Sequence, residues 1–170
     1  MPHRTVYPLV IMLAVLLGDA RAETPQSFTA QVGDIAFESG DKEITLVPVM
    51  GSFSLSASTK GAAAYPPPKT RIDRLSIVCD GFEDGKPLVR DHRDFERGTC
   101  NVRFEKGSKP MGGSPDLEYT LDKNSATNRF EITAAQGKVY KGTFTFQLKD
   151  DKGGTISVSN GRFTAEDRQL

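Results

Sequence analysis

The sequence has no tryptophan, and it is poor in the residue types that carry much of catalysis and metal binding, with two cysteines and two histidines among 170 residues. Its 22 basic residues are balanced by 22 acidic ones. A balanced charge leaves no electrostatic footprint for nucleic acid or for an anionic membrane surface. We therefore expect no nucleic acid partner, and the shortage of histidine excludes zinc or copper sites built from several histidines.

Long hydrophobic runs are also scarce, and the one that stands out covers residues 6–17. Its length of about 12 residues falls short of the ~20 that a helix needs to cross a bilayer. Basic residues precede the run, and the small-x-small sequence of residues 20–22 follows it. This pattern predicts a secretory signal peptide over residues 1–22, with a buried N-terminal helix as the alternative. Cleavage before Glu23 would leave residues 23–170 as a single domain, soluble in the periplasm or secreted.

The two cysteines, Cys79 and Cys100, both lie in the predicted mature chain. An even number of cysteines in an exported chain predicts a disulfide, because the compartment is oxidising. Two separate buried thiols are the alternative. Neither cysteine lies near the predicted cleavage site, so lipid attachment to a new N-terminal cysteine is not expected. Two cysteines alone do not supply the four ligands that zinc prefers.

Alternation of apolar and polar residues runs through most of the chain after residue 22, whereas helical periodicity is almost absent. The clearest unit is a hairpin, in which residues 139–149 and 156–163 flank a turn rich in aspartate and glycine. About nine short strands at intervals of roughly ten residues predict an all-β, antiparallel fold. A β-sandwich is the first interpretation and a calycin-like barrel the alternative.

Two segments offer candidate partner-binding residues. Tyr65 precedes three consecutive prolines in the predicted loop of residues 59–70, which makes it the best candidate for an exposed aromatic anchor. His92 is the only histidine of the predicted mature chain, and Asp91 and Arg93 flank it in a charged segment inside the disulfide ring. This histidine is either a base or ligand supported by carboxylates or part of a solvated, self-paired loop.

Motifs of catalysis are missing from the sequence. No G-x-S-x-G elbow is present, and Asp91 and Asp94 are the carboxylates that a hydrolase of this chain would use. The acidic turn around Asp80, Glu83 and Asp84 is rich in the oxygen ligands that Ca²⁺ takes, but it lacks the spacing of a calcium-binding loop. We therefore expect no cofactor, with Ca²⁺ as the alternative.

The C-terminal hairpin also carries a resemblance. Residues 140–146 read Y-K-G-T-F-T-F, and residues 153–163 read G-G-T-I-S-V-S-N-G-R-F. This pair of segments resembles the closing hairpin of small uncharacterised all-β domains of bacterial envelope lipoproteins. The resemblance implies an all-β fold at the cell envelope and no assigned activity. The chain departs from those proteins because it lacks their lipid-attachment cysteine.

The sequence therefore favours an exported, non-catalytic binding domain of the bacterial envelope whose partner is a protein or another envelope component. A periplasmic inhibitor or immunity protein is one alternative, in which the charged segment inside the disulfide ring would plug a partner enzyme. A carboxylate-based hydrolase is the other.

Overall fold

The computed structural model describes residues 25–109 and 113–168, so the predicted signal peptide lies outside the described residues. Within them the chain forms eleven β-strands, one short α-helix and a 3-10 turn. No helix in this part of the chain is long and apolar enough to span a membrane. The elements are β1 Ser27–Val32, β2 Ile35–Ser39, the 3-10 turn Asp41–Glu43, β3 Ile44–Val49, β4 Ser52–Ser58, β5 Ile72–Asp80, β6 Leu88–Arg90, α1 His92–Glu96, β7 Cys100–Ser108, β8 Leu117–Leu121, β9 Arg129–Gln136, β10 Val139–Lys149 and β11 Thr155–Glu166.

All of these strands belong to one antiparallel sheet, in the order β2-β1-β11-β10-β8-β7-β5-β4-β3, with β9 joined to β10 and β6 joined to β9. The sheet curls until β3 returns to the end of β11, where Leu46 and Asp167 form a single parallel bridge. The predicted all-β, antiparallel fold is thus confirmed. A continuous sheet that nearly closes on itself has the form of the barrel alternative rather than that of two stacked sheets.

Phenylalanine is the main aromatic residue of the core in this chain, which has no tryptophan. All ten phenylalanines of the sequence are buried, and their rings meet at centroid distances such as 5.2 Å for Phe53 and Phe130. Alternation along the strands produces this core, because every second residue of a strand points to the same face. In β4, for example, Phe53, Leu55 and Ala57 are buried while the serines between them are partly exposed.

The predicted C-terminal hairpin is confirmed as β10 paired with β11, the most extensive strand pair of the sheet. Two glycines in it are explained by aromatic neighbours. Gly142 lies opposite Phe163, and Gly161 lies opposite Phe144. A Cβ atom at either glycine would clash with the facing ring. The glycines of the G-T-F and N-G-R-F segments therefore make room for phenylalanine in the adjacent strand.

The predicted disulfide is present between Cys79 and Cys100, which face each other across β5 and β7. The segment that it encloses is more regular than its alternating charges suggested. Instead of a solvated loop it contains β6 and α1, and Phe95 of the helix is fully buried against Phe146. Phe95, together with the buried Phe82 and Leu88, thus anchors this otherwise charged segment to the core.

A polar latch fastens the seam at which the sheet returns on itself. Arg168 donates two hydrogen bonds to the Asp41 carboxylate, from Nη1 to Oδ2 at 3.0 Å and from Nη2 to Oδ1 at 2.9 Å. The backbone N–H of Gln26 donates to the same carboxylate at 2.8 Å. The first and last described segments of the chain are thereby joined to the 3-10 turn that precedes β3.

Candidate functional site

Tyr65 projects into solvent from the connection between β4 and β5, with 97% of its surface exposed. The connection is fastened at its base by Glu43, whose Oε1 atom accepts hydrogen bonds from the N–H groups of Gly61 (3.0 Å) and Ala63 (3.4 Å). The structure thus places Tyr65 where an aromatic anchor would have to be, on a connection that is tied to the barrel.

The residues around His92 build the start of α1. Asp91 caps the helix, because its Oδ1 atom accepts from the N–H of Arg93 at 3.0 Å. Asp94 completes a capping box by accepting from the N–H of Asp91 at 3.1 Å. Such reciprocal bonds satisfy N–H groups that have no partner within the helix. Both carboxylates that a hydrolase would use are therefore engaged in holding the helix.

The charge of Asp94 also counts against a role as a general acid. Burial raises the pKa of its carboxyl, but hydrogen bonds from the Asp91 N–H and the Arg97 guanidinium oppose this, together with the charges of Arg90 and Arg97. The outcome is a pKa below the usual range. Asp94 is consequently ionised at neutral pH and has no proton to donate to a leaving group.

The two sets of predicted partner-binding residues are not brought together. Tyr65 belongs to the connection that precedes β5, whereas α1 lies near the disulfide at the other end of this strand. A nine-residue strand is about 26 Å long at ~3.3 Å per residue. A single small ligand could therefore not contact both Tyr65 and His92.

The acidic turn after β5 serves to close one end of the barrel. The hydroxyl of Tyr140 donates a hydrogen bond to Asp84, and Glu83 forms an ion pair with Lys86. The pKa of Tyr140 is raised to about 12, first by burial and then by this hydrogen bond to Asp84. Phe82 packs edge-on against Tyr140 at 5.4 Å. In the described part of the chain, no three His, Cys, Asp or Glu side chains cluster as metal ligands would.

The sequence did not indicate an open groove that lies on the outer face of β4, β5, β7 and β8. Its volume is about 670 Å³, and we call it the outer groove. Cross-strand pairing sets out its floor in rows. Ser54, Val78 and Asn101 form one row, and Ser76, Arg103 and Thr120 share the next. The short side chains of Ser54 and Ser76 leave the groove open on the side of β4 and β5.

Charged side chains form one wall of the outer groove. Glu105 lies between two guanidinium groups, 3.6 Å from Nη1 of Arg74 and 3.9 Å from Nη1 of Arg103. Glu105 also accepts a hydrogen bond from the Ser108 hydroxyl at 3.2 Å, and its side chain is only 20% exposed. Arg103 reaches a second carboxylate, Glu118, at 3.4 Å. The half-buried Glu105 thus positions two arginines that remain substantially exposed to solvent.

A second concavity of about 490 Å³ continues the outer groove toward β3. Ser54, Arg74 and Ser76 line both, so the two form one surface. Lys42 lies at the β3 end of this surface, and Lys123 lies just after β8 at the other end. Four cationic side chains are consequently distributed across the joined grooves.

The alternation of serine along β4 was the one signal in the sequence that could have pointed to this surface, since it marks a solvent-exposed outer face.

Comparison of the chain with protein-family models, with curated proteins and with solved structures found no match.

Proposed function

We propose that this chain is an exported, non-catalytic binding domain of the bacterial envelope, and that the outer groove is its binding surface. The observation that carries the proposal is the open groove on the rigid strands β4, β5, β7 and β8, lined by polar and cationic side chains. Binding sites in proteins are typically concave and largely pre-formed, with a few polar groups that orient the ligand. Strand pairing supplies the rigidity here, because residues 74–79 are paired on both edges of β5.

The disulfide is compatible with export, since such bonds persist in oxidising compartments. A binding role also agrees with the use of the candidate carboxylates. Asp91 and Asp94 cap α1, and Asp84 accepts from Tyr140, so each has a structural task.

An inhibitor that plugs a partner enzyme is the second candidate, and the turn between β3 and β4 favours it. Met50 is fully exposed there, Val49 is 48% exposed, and both Met50 and Gly51 have positive φ. Two-residue turns of this kind prefer Asn-Gly, because asparagine tolerates positive φ better than methionine does. A strained, exposed methionine at a hairpin tip suits insertion into an apolar pocket of a protein.

The test of the outer groove uses a bulky substitution on each side of the barrel. Ser76→Trp would fill the groove, and Thr143→Trp adds the same ring to the outer face of β10. We would immobilise the full mature chain and both variants, and measure retention of purified peptidoglycan fragments, lipopolysaccharide and periplasmic proteins. The expected result is that at least one component is retained by the wild type and by Thr143→Trp but lost with Ser76→Trp.

Equal retention by all three proteins would overturn the groove as the binding surface. If Met50→Asn alone abolished retention of a periplasmic enzyme, the inhibitor candidate would replace the proposal. Circular dichroism of each variant would establish that the fold is retained before retention is compared.

A further inference from the structure

The outer groove and the concavity that continues it have the dimensions of a site for an extended ligand. They cross five neighbouring strands, from β3 through β4, β5 and β7 to β8. At 4.7–4.9 Å between strands, this width is about 19 Å. Lys42 and Lys123 lie at the two ends, and the arginines lie between them. A ligand that meets all four cations must therefore be a chain rather than a compact molecule.

The balance of charge along this surface favours an anionic ligand. Its cations are Lys42, Arg74, Arg103 and Lys123, whereas the carboxylates in its lining are Glu43 and Glu105. Glu43 is already occupied by the N–H groups at the base of the Tyr65 connection. The two arginine side chains are 44% and 56% exposed, and their ion pairs, including that of Arg103 with Glu118, measure 3.4 Å or more. Ion pairs of exposed cations contribute little to stability. The guanidinium groups accordingly keep N–H donors for a carboxylate or phosphate.

The groove floor between the cations favours a saccharide over a peptide as the ligand. An extended peptide gains most of its affinity from main-chain hydrogen bonds at a sheet edge. Residues 74–79 have both of their edges paired, so the floor offers a peptide no main-chain partners. Its side chains instead present the hydroxyls of Ser54, Ser76 and Thr120 and the amide of Asn101. Each of these groups both donates and accepts, as the hydroxyls of a sugar do.

From these observations we infer that the outer groove binds a linear acidic saccharide, with its carboxylates or phosphates on the arginines and lysines and its hydroxyls on the floor. The inference rests on the proposed function and names the ligand class of the same site. Aromatic rings do not line the groove in the described structure, so charge rather than stacking provides the affinity. Binding should consequently weaken as salt is added.

The test compares three probes by isothermal titration calorimetry on the mature chain. Oligogalacturonate carries one carboxylate on each ring, its methyl ester has the same rings without charge, and poly-L-glutamate carries carboxylates on a peptide. We expect measurable binding of oligogalacturonate, with affinity at least about tenfold lower for the other two probes. The methyl ester loses the charge contacts, and poly-L-glutamate loses the hydroxyl contacts with the floor; a few such contacts amount to this factor.

Two double variants show where the saccharide binds. Arg103→Ser with Lys123→Ser removes two cations from the outer groove. Lys141→Ser with Arg162→Ser removes the same two residue types from the outer face of β10 and β11. The first variant should lower the affinity for oligogalacturonate about tenfold, and the second should leave it within about twofold. Ser76→Trp, which keeps every charge, should abolish binding by filling the groove.

Equal affinity for the methyl ester would overturn recognition of charge, and stronger binding of poly-L-glutamate would make the ligand a peptide. Equal losses of affinity in both double variants would mean that oligogalacturonate is held by general electrostatic attraction and not by the outer groove. If oligogalacturonate fails to bind while Ser76→Trp still abolishes retention of another envelope component, the saccharide inference fails and the proposed function stands. If neither is observed, both fail.

Discussion

The two faces of β4 carry side chains of opposite character, apolar on the inner face and polar on the outer face. Its inner face contributes Phe53, Leu55 and Ala57, each at most 1% exposed. Its outer face contributes only serines, of which Ser54 lines both concavities and Ser56 and Ser58 line the second. A single strand thus supports the core on one side and a polar surface on the other. The inner residues account for the fold, and the outer residues are available to a ligand because the fold does not depend on them.

Substitutions on the inner face of β4 should lower the free energy of unfolding more than substitutions on its outer face. Phe53 packs against Phe130 at 5.2 Å and against Phe82 at 5.5 Å. Phe53→Ala should therefore lower the free energy of unfolding by about 3–5 kcal/mol, through lost burial and the cavity that remains. Ser54→Ala, at the next position but on the outer face, should change it by less than about 0.5 kcal/mol. Urea denaturation of both variants tests the comparison, and similar losses would refute it.

The disulfide between β5 and β7 should have the next largest effect. It closes a loop with a sequence separation of 21 residues, and its cysteines are buried. Replacing both by alanine should cost about 3 kcal/mol, because the unfolded chain regains freedom. Thermal unfolding monitored by circular dichroism would measure this loss of stability. The Ser54→Ala protein, which keeps both cysteines, serves as the control under oxidising and reducing conditions. An unchanged melting temperature would show that strand pairing alone holds β5 and β7.

The latch between Asp41 and Arg168 should produce a smaller effect that depends on pH. The Arg168 hydrogen bonds, followed by the one from the Gln26 N–H, lower the pKa of Asp41 below its usual value. Its contribution to stability is therefore complete above the unfolded pKa of about 3.9 and is lost as the pH falls below that value. Because Asp41 is 41% exposed, solvent screening limits this contribution to about 1 kcal/mol or less.

Asp41→Asn should accordingly destabilise the protein at pH 7, and the deficit should be smaller at pH 3, which lies below the unfolded pKa of about 3.9. Urea denaturation at the two pH values would measure the change. A deficit of the same size at both would assign the effect to packing rather than to the charge of Asp41.

A substitution at the tip of the β3–β4 hairpin should raise the stability of the protein, whereas the preceding substitutions lower it. Met50→Asn should raise the free energy of unfolding by about 0.5 kcal/mol, since asparagine adopts positive φ at a lower cost. Differential scanning calorimetry would detect the rise, and Met50→Ala serves as the control that removes the side chain without supplying asparagine. A loss of stability in Met50→Asn would mean that the exposed methionine packs in a way that the described contacts do not explain.

Local patterning was enough to predict most of the strands, because alternation records which face of a strand is buried, but it missed the three-residue β6. It also predicted the C-terminal hairpin and the pairing of Cys79 with Cys100, since few alternatives existed for two cysteines. The short α1 was missed because five residues carry no helical periodicity. Its one signal was the capping pair Asp91 and Asp94, three residues apart.

The outer groove could not have been predicted in the same way. Its wall depends on Arg74 of β5, which meets Arg103 and Glu105 of β7, about 30 residues further along the chain, only through the pairing of these two strands. Cross-strand neighbours follow from register and strand order, and alternation within one strand specifies neither. The serines of β4 were visible as a wet face, but nothing local indicated which side chains would surround them.

The most direct test of the outer groove as the binding surface is a two-dimensional ¹⁵N–¹H spectrum of residues 23–170, recorded while an envelope component that this chain retains is added. If the outer groove is the binding surface, the amide signals of Ser54, Ser76 and Asn101 will shift, and those of Thr143 and Arg162, which lie outside the groove, will not. Shifts confined to the α1 segment, to the hairpin tip or to the face of β10 and β11 would contradict the account.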